Sequence, residues 1–394
     1  MILVQTARSE TPAAHYALAL AAIGAGLMLP AWSTASAGTT KGFVVTAMEY
    51  ATHDGGPADC PGGLAMSSKD YYLQNLPPAE RERLSKGENV KELFKLLYAP
   101  GGNLGPGKRT HNQCADPTDF QGPPLPTIQG AVADGMNLDG RNESTPGDAA
   151  PNTCAHQKFT SPTGAPGIDN QFWRAMGCIR GYRPDADIVK YQNANIPGGE
   201  YTVLIELTGV DDIRNDPDVQ VGIYASPDRV TVDAAQNVLP DSSLSVPDDP
   251  RYRAVAHGRI VDGVLTTDPT DVRLKYKSQG YVDTDYYIKG ARLRLELKPD
   301  GTAKGMLGGY YDVETFYDGF IRQAQVVTSV LLSYTCPGVY GALNNLADAY
   351  PDAKTGKCTA ISTAFRLEAI PAFIIHPTDK TKTAQDTTQG AVNR

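Results

Sequence analysis

Three stretches of the chain carry oxygen ligands close enough together to hold a hard cation. The first is Asp134-Gly135-Met136-Asn137-Leu138-Asp139-Gly140-Arg141-Asn142-Glu143, where Asn137 and Asp139 precede a glycine. Oxygen ligands at alternate positions, with a Gly that permits a sharp turn, are what a calcium loop needs. The frame is incomplete, because Gly135 stands where an EF-hand has its first acid. A turn held by its own side chains explains the same residues without metal. The second stretch is Gly167-Ile168-Asp169-Asn170-Gln171. Asp169 could complete a calcium site with the first loop. It could equally cap, with Asn170, the helix that Phe172-Trp173-Arg174-Ala175-Met176 begins. The third is Asp211-Asp212-Ile213-Arg214-Asn215-Asp216-Pro217-Asp218. Carboxylates this dense repel unless a cation, Arg214 or a basic partner relieves them, or unless the loop is simply solvated. Calcium held by Asn137, Asp139, Asp169, Asp211, Asp212 and Asp216 is the metal chemistry these stretches offer.

The cysteines offer a second chemistry. Cys60, Cys114, Cys154, Cys178, Cys336 and Cys358 are even in number and lack any C-x-x-C spacing. Cys154-Ala155-His156 has the makings of half a metal site, but an exported chain with six Cys reads as three disulfides. Local pairing is expected: Cys60 with Cys114, Cys154 with Cys178, and Cys336 with Cys358. Export rests on the apolar run from Tyr16 to Trp32, followed by Ala35-Ser36-Ala37, a small-x-small cleavage signal that leaves Gly38 first. No second run of that length follows, so no transmembrane segment is expected beyond residue 37.

The 20 Tyr outnumber the nine Phe, and Tyr281, Tyr286, Tyr287, Tyr310, Tyr311 and Tyr317 fall together late in the chain. A flat apolar ring with a polar tip suits sugar or peptide contact, and serves as a structural residue equally well. Trp173 reads as core. G-x-S-x-G, H-E-x-x-H, P-loop and G-x-G-x-x-G patterns are all missing. A triad or carboxylate pair assembled in space leaves no such trace. The net charge of −8 with no basic block argues against nucleic acid as a partner.

The elements that must position these residues are mainly β. Phe43 to Tyr50, Tyr201 to Leu207 and Val219 to Tyr224 read as strands. Ala254–Val261 and Val264–Thr267 flank Asp262-Gly263, a type I′ hairpin signal. Arg292 to Leu297 alternates strictly, with Leu293, Leu295 and Leu297 facing a core, and Pro299-Asp300-Gly301 turns it into Thr302 to Leu307. Short helices are expected over Ala79–Leu84, Glu88–Tyr98 and Leu343–Tyr350. Phe316, Phe320, Ala324, Val327 and Leu331 also keep helical spacing. Phe365 to Ala369 reads as a strand limited by Pro371. Residues 99–170 hold 10 Pro and 11 Gly in 72 positions, too many for regular structure. With Cys114 and Cys154 inside, the stretch reads as a stapled loop region rather than a linker.

Cys60-Pro61-Gly62-Gly63-Leu64, Gly167-Ile168-Asp169-Asn170-Gln171 with Gly177-Cys178, and Ile361-Ser362-Thr363-Ala364 together resemble a group of exported proteobacterial proteins. The likeness is spread over most of the chain after residue 37 in short motifs. It implies export and a β-rich fold, and it brings no functional residue with it.

The expected organisation is a signal peptide over 1–37, a mixed loop-rich region over 38–194, a β-rich domain with a mixed end over 195–376, and a flexible tail over 377–394. The expected fold is mainly β, an antiparallel sandwich-like core with a Gly/Pro-rich stapled region and a few short helices; α+β is the alternative. The matching function is a periplasmic or secreted binding protein that recognises a ligand, carbohydrate or protein through loops on a β scaffold. A hydrolase of polysaccharide or ester with an assembled site, and a structural subunit of an envelope complex, are the alternatives.

Overall fold

The computed structural model describes residues 38–98, 112–142, 150–278, 282–324 and 329–377. The expected signal peptide, residues 378–394 of the expected tail, Glu143 and Tyr281 lie outside the described residues.

Alternating sequences build the wall of the molecule. Its strands are β1 (Thr39–Tyr50), β2 (Thr202–Val210), β3 (Asp216–Ser226), β4 (Ser242–Ser245), β5 (Arg253–Val261), β6 (Val264–Thr267), β7 (Thr270–Ser278), β8 (Val282–Leu297), β9 (Ala303–Asp312), β10 (Ala349–Pro351) and β11 (Cys358–Ile375). Neighbours run β1-β2-β3-β5-β6-β8-β9-β11, and β11 pairs back onto β1, so the sheet closes. β7 continues the line of β6 along β8, and β4 and β10 flank β11. Every ladder is antiparallel except β4 on β11. The mainly β class is the expected one. Its core packs face to face by closing on itself, which leaves the ring without a free edge. Because β1 sits between β2 and β11, the expected division at 194/195 runs through one sheet.

The β8 alternation behaves as the sequence indicates. Leu293, Leu295 and Leu297 are buried while Arg294 and Glu296 are exposed, which places the leucines inside the ring. The Asp262-Gly263 turn has φ of 51° and 80°, the left-handed pair that a type I′ hairpin needs. Inside, Tyr50 stacks on Phe365 at 4.8 Å, Tyr286 on Phe320 at 4.7 Å and Tyr311 on Phe316 at 4.9 Å. Phe172 comes from α4 (Gln171–Met176). Phe316 ends α6 (Val313–Phe316), which runs on into a π turn, Tyr317–Arg322, that carries Phe320. These rings fill the interior. Tyr286, Tyr311 and Tyr317 are therefore core residues, not a recognition face. Trp173 is buried, as expected.

Two expected boundaries move. β11 runs through Pro371 to Ile375. The β9 ladder on β11 ends at Ala369, so the missing N–H of Pro371 breaks no bond on that side. The helix expected at Leu343–Tyr350 lies earlier, over Cys336–Asn345, with Pro337 in its first turn, and Tyr350 instead belongs to β10 with φ of 55°.

Local disulfide pairing is overturned. The bonds are Cys60–Cys178, Cys114–Cys336 and Cys154–Cys358, with separations of 118, 222 and 204 residues. The assumption of short loops fails because closure entropy grows only with the logarithm of loop length. The fold itself brings the distant partners together.

Candidate metal centre

The described part of the Gly/Pro-rich region lies against the outer wall of β9 and β11. It has no long strands and is held by short bridges: Phe159 with Ile168, Met136 with Asp169, Thr153 with Ala349. Tyr310 of β9 and Ala360 of β11 face it and pack with Leu138 and Ala349. At this junction His156, Asp169 and Asp348 converge. Among the described residues they form the group of three whose candidate ligand atoms all lie within 4.8 Å of one another.

Each is fixed by its neighbours. Asp348 precedes β10. Its N–H donates to Ala360 O and its carbonyl accepts from Cys154 N, each at 2.8 Å. Its Oδ1 accepts from Ser362 N at 2.7 Å. Asp169 Oδ2 accepts from Leu138 N at 2.7 Å and Asp139 N at 3.3 Å. His156 Nδ1 lies 2.9 Å from the carbonyl of Cys154, itself bonded to Cys358. Its Nε2 lies 2.7 Å from Asp169 Oδ1 and 3.5 Å from Asp348 Oδ2. Lys158 bridges Asp139 at 2.6 Å and contacts Asp169.

Burial makes these charges costly. It pushes the Asp348 carboxyl up to about 6, although His156 and the Ser362 N–H pull it down. Burial pulls the His156 imidazole down, but the hydrogen bond to Asp169 and the charge of Asp348 outweigh it, so the net shift is upward. Burial raises Asp169, but His156 and Lys158 carry it below its ordinary value. Tyr310, buried above the cluster, is raised by burial and by the charges of Asp169, Asp348 and Asp139.

One atom is unexplained by this network. Asp348 Oδ2 is buried and has no hydrogen-bond partner. A buried carboxylate oxygen costs several kcal/mol unless something compensates it. The imidazole beside it is oriented as metal ligands are, with Nδ1 2.9 Å from a backbone carbonyl and Nε2 facing the carboxylates. Charge also balances. With His156 neutral, the carboxylates of Asp139, Asp169 and Asp348 against Lys158 sum to −3 + 1 = −2. Either a divalent cation or two protons, on His156 and Asp348, neutralise it. One imidazole and two carboxylates suit zinc or manganese better than calcium, which prefers oxygen alone.

The six residues expected to bind calcium are not all brought together. Asp139 and Asp169 meet through Lys158, and of the two only Asp169 belongs to the group of three. Asp139 serves Lys158, whose ammonium is the cation beside that loop, and also accepts from Arg141 N at 2.9 Å. Asn137 closes the loop on itself, accepting from Gly140 N at 2.8 Å and donating to Arg141 O at 2.9 Å. Asp211, Asp212 and Asp216 stay in the β2–β3 loop. There Asp216 accepts from Asp211 N at 2.7 Å and Asp218 N at 3.2 Å, and Asp212 from Arg214 N at 2.8 Å. The helix-capping role falls to Asn170, whose Oδ1 accepts from Trp173 N at 3.1 Å. Sequence reading noticed His156 only beside Cys154 and missed Lys158 and Asp348. Asp348 carries no local signal, since it comes beside His156 only when β10 meets the 152–156 segment.

Comparison with known protein families, curated proteins and solved structures finds no match.

Proposed function

We propose that this is an exported binding protein in which a divalent transition metal, held by His156, Asp169 and Asp348, clamps the stapled loop coat onto the barrel wall. The observation that carries the reading is the buried Asp348 Oδ2, which has no hydrogen-bond partner and lies 3.5 Å from Nε2 of an imidazole whose Nδ1 is held by a carbonyl. His156, Asp169 and Asp348 would hold the cation, displacing the Lys158 ammonium from Asp169. Lys158 then rests on Asp139. Export is supported by three disulfides and by the apolar leader-like run. Among the described residues no helix is long and apolar enough to cross a membrane. The hydrolase alternative gains no support here, because Nε2 of His156 faces the carboxylates of Asp169 and Asp348 rather than a hydroxyl, and Ser362 Oγ accepts from Gln171 N.

The test is thermal melting and calorimetric titration of chelator-stripped protein with Zn²⁺, Mn²⁺ and Ca²⁺. Zinc or manganese at a hundredfold excess over its dissociation constant should add about 2.7 kcal/mol. Asp348→Asn should abolish that gain. A wild-type melting midpoint that no cation moves would sink the metal reading.

A further inference from the structure

A separate recess opens in the same wall, on the other side of Met136. β6 ends at Thr267 and β7 starts at Thr270, with Asp268-Pro269 between them. Between the pairs Thr266↔Arg294 and Thr270↔Ala291 the first strand spends one residue more than β8, so the ladder bulges. Leu293 N donates to the Thr267 hydroxyl at 2.9 Å instead of to a backbone carbonyl. The bulge leaves a cleft of about 400 Å³ lined by Met136, His257, Arg259, Thr266, Asp268 and Arg292, among others.

The charges in this cleft are unevenly used. Asp218, also in the lining, faces His257 Nδ1 at 3.2 Å. Arg259 and the half-buried Arg292 line the cleft from β5 and β8, and neither has a carboxylate or hydrogen-bond partner among the described residues. Arg294, exposed beside them on β8, likewise has none. Guanidinium forks without partners, at the edge of a recess, match carboxylate and phosphate oxygens in shape and charge. Thr266 and the exposed Asp268 supply acceptors for hydroxyl groups.

We propose that this cleft binds a small hydroxylated ligand through an oxyanion, carboxylate or phosphate, held between Arg259 and Arg292. The inference deepens the binding reading and rests on it, but not on the metal. The experiment is calorimetric titration of the full chain, at constant ionic strength, with sodium glucuronate, inorganic phosphate and neutral glucose. Metal titration of the same wild-type sample is a separate measurement, so either site can fail alone. Saturable binding of glucuronate or phosphate, with none of glucose, is expected. Arg259→Ala with Arg292→Ala should weaken it at least about tenfold, while the melting midpoint confirms that the double variant is folded. Absence of saturation with both oxyanions overturns the proposal. So does equal binding by a folded double variant, or glucose binding as tightly as glucuronate.

Discussion

At the residue scale, the centre around His156 holds three shifted titrations, two raised and one lowered. Asp348 has a folded value near 6 against an ordinary 3.8. A carboxyl raised in this way makes the folded state hold its proton more tightly, so stability falls as pH rises from about 4 to 6. His156 is also raised, so its contribution is full below its ordinary value and is lost as pH climbs through the higher folded one. Asp169 is lowered, and its contribution is lost only as pH falls through its folded value. Metal-free protein should therefore be less stable at pH 8 than at pH 5, by an amount on the order of 2 kcal/mol. Asp348→Asn should flatten the part of that slope below pH 6. Bound metal reverses the trend, because it requires the deprotonated ligands. Melting curves at both pH values, with chelator and with zinc, decide this. A chelated protein indifferent to pH would count against the buried carboxyl.

Elements show which local rules hold and why. Asn170 caps α4 through Oδ1, and its Nδ2 donates to Ala51 O at 2.9 Å and Asp134 O at 2.7 Å. Asn170→Ala should cost about 2–4 kcal/mol, since it removes a cap and strands one buried and one half-buried carbonyl. Asn170→Asp keeps the cap acceptor and loses the donors, so it should fall between the two in urea unfolding. The hairpins separate two meanings of glycine. Gly263 needs its φ of 80°, and a Cβ there meets only Leu297 O at 3.6 Å. Gly263→Ala should cost about 1–2 kcal/mol. Gly305 has no positive φ, yet a Cβ there would come within 1.9 Å of Arg294 O on the adjacent strand. Gly305→Ala should cost about 3 kcal/mol or open that pair. Similar losses for the two would show that strand spacing yields more readily than the structure implies. Both hairpins were legible from turn chemistry and alternation, because neighbours in sequence are neighbours in the ladder. The run of β11 past Pro371 was not, since it depends on where β9 stops.

At the scale of the whole molecule, the three disulfides tie Cys60 to Cys178, and the coat to the helix Cys336–Asn345 and to the start of β11. Reduction should destabilise the chain by several kcal/mol, with about 2–5 for each bond and less than additive totals because the loops overlap. Non-reducing peptide maps should recover linked peptides containing Cys60 with Cys178, Cys114 with Cys336, and Cys154 with Cys358. A Cys60–Cys114 peptide would refute the topology around β1. Cys154–Cys358 also holds the carbonyl that orients His156. Replacing that pair by serines should weaken zinc binding in a folded protein, whereas replacing Cys114 and Cys336 should not.

Sequence alone determined the mainly β class, the two hairpins and the even set of cysteines, and it offered Asp169 and Asn170 as a cap. Each depends on residues near one another along the chain, where period, turn propensity and parity act directly. Tertiary structure decided the rest: that β11 closes on β1, which cysteines meet, and that Asp348 stands beside His156 and Asp169. Those outcomes join segments far apart in sequence, such as Thr46 and Glu368 at 322 residues, and no local pattern encodes which distant strand will arrive alongside. The same separation explains the acidic stretches. Asp216 accepts from Asp211 N and Asp218 N, and Asp212 from Arg214 N, all within their own loop, while Asp169 has His156 and Lys158 close in sequence and meets Asp348 only through the fold.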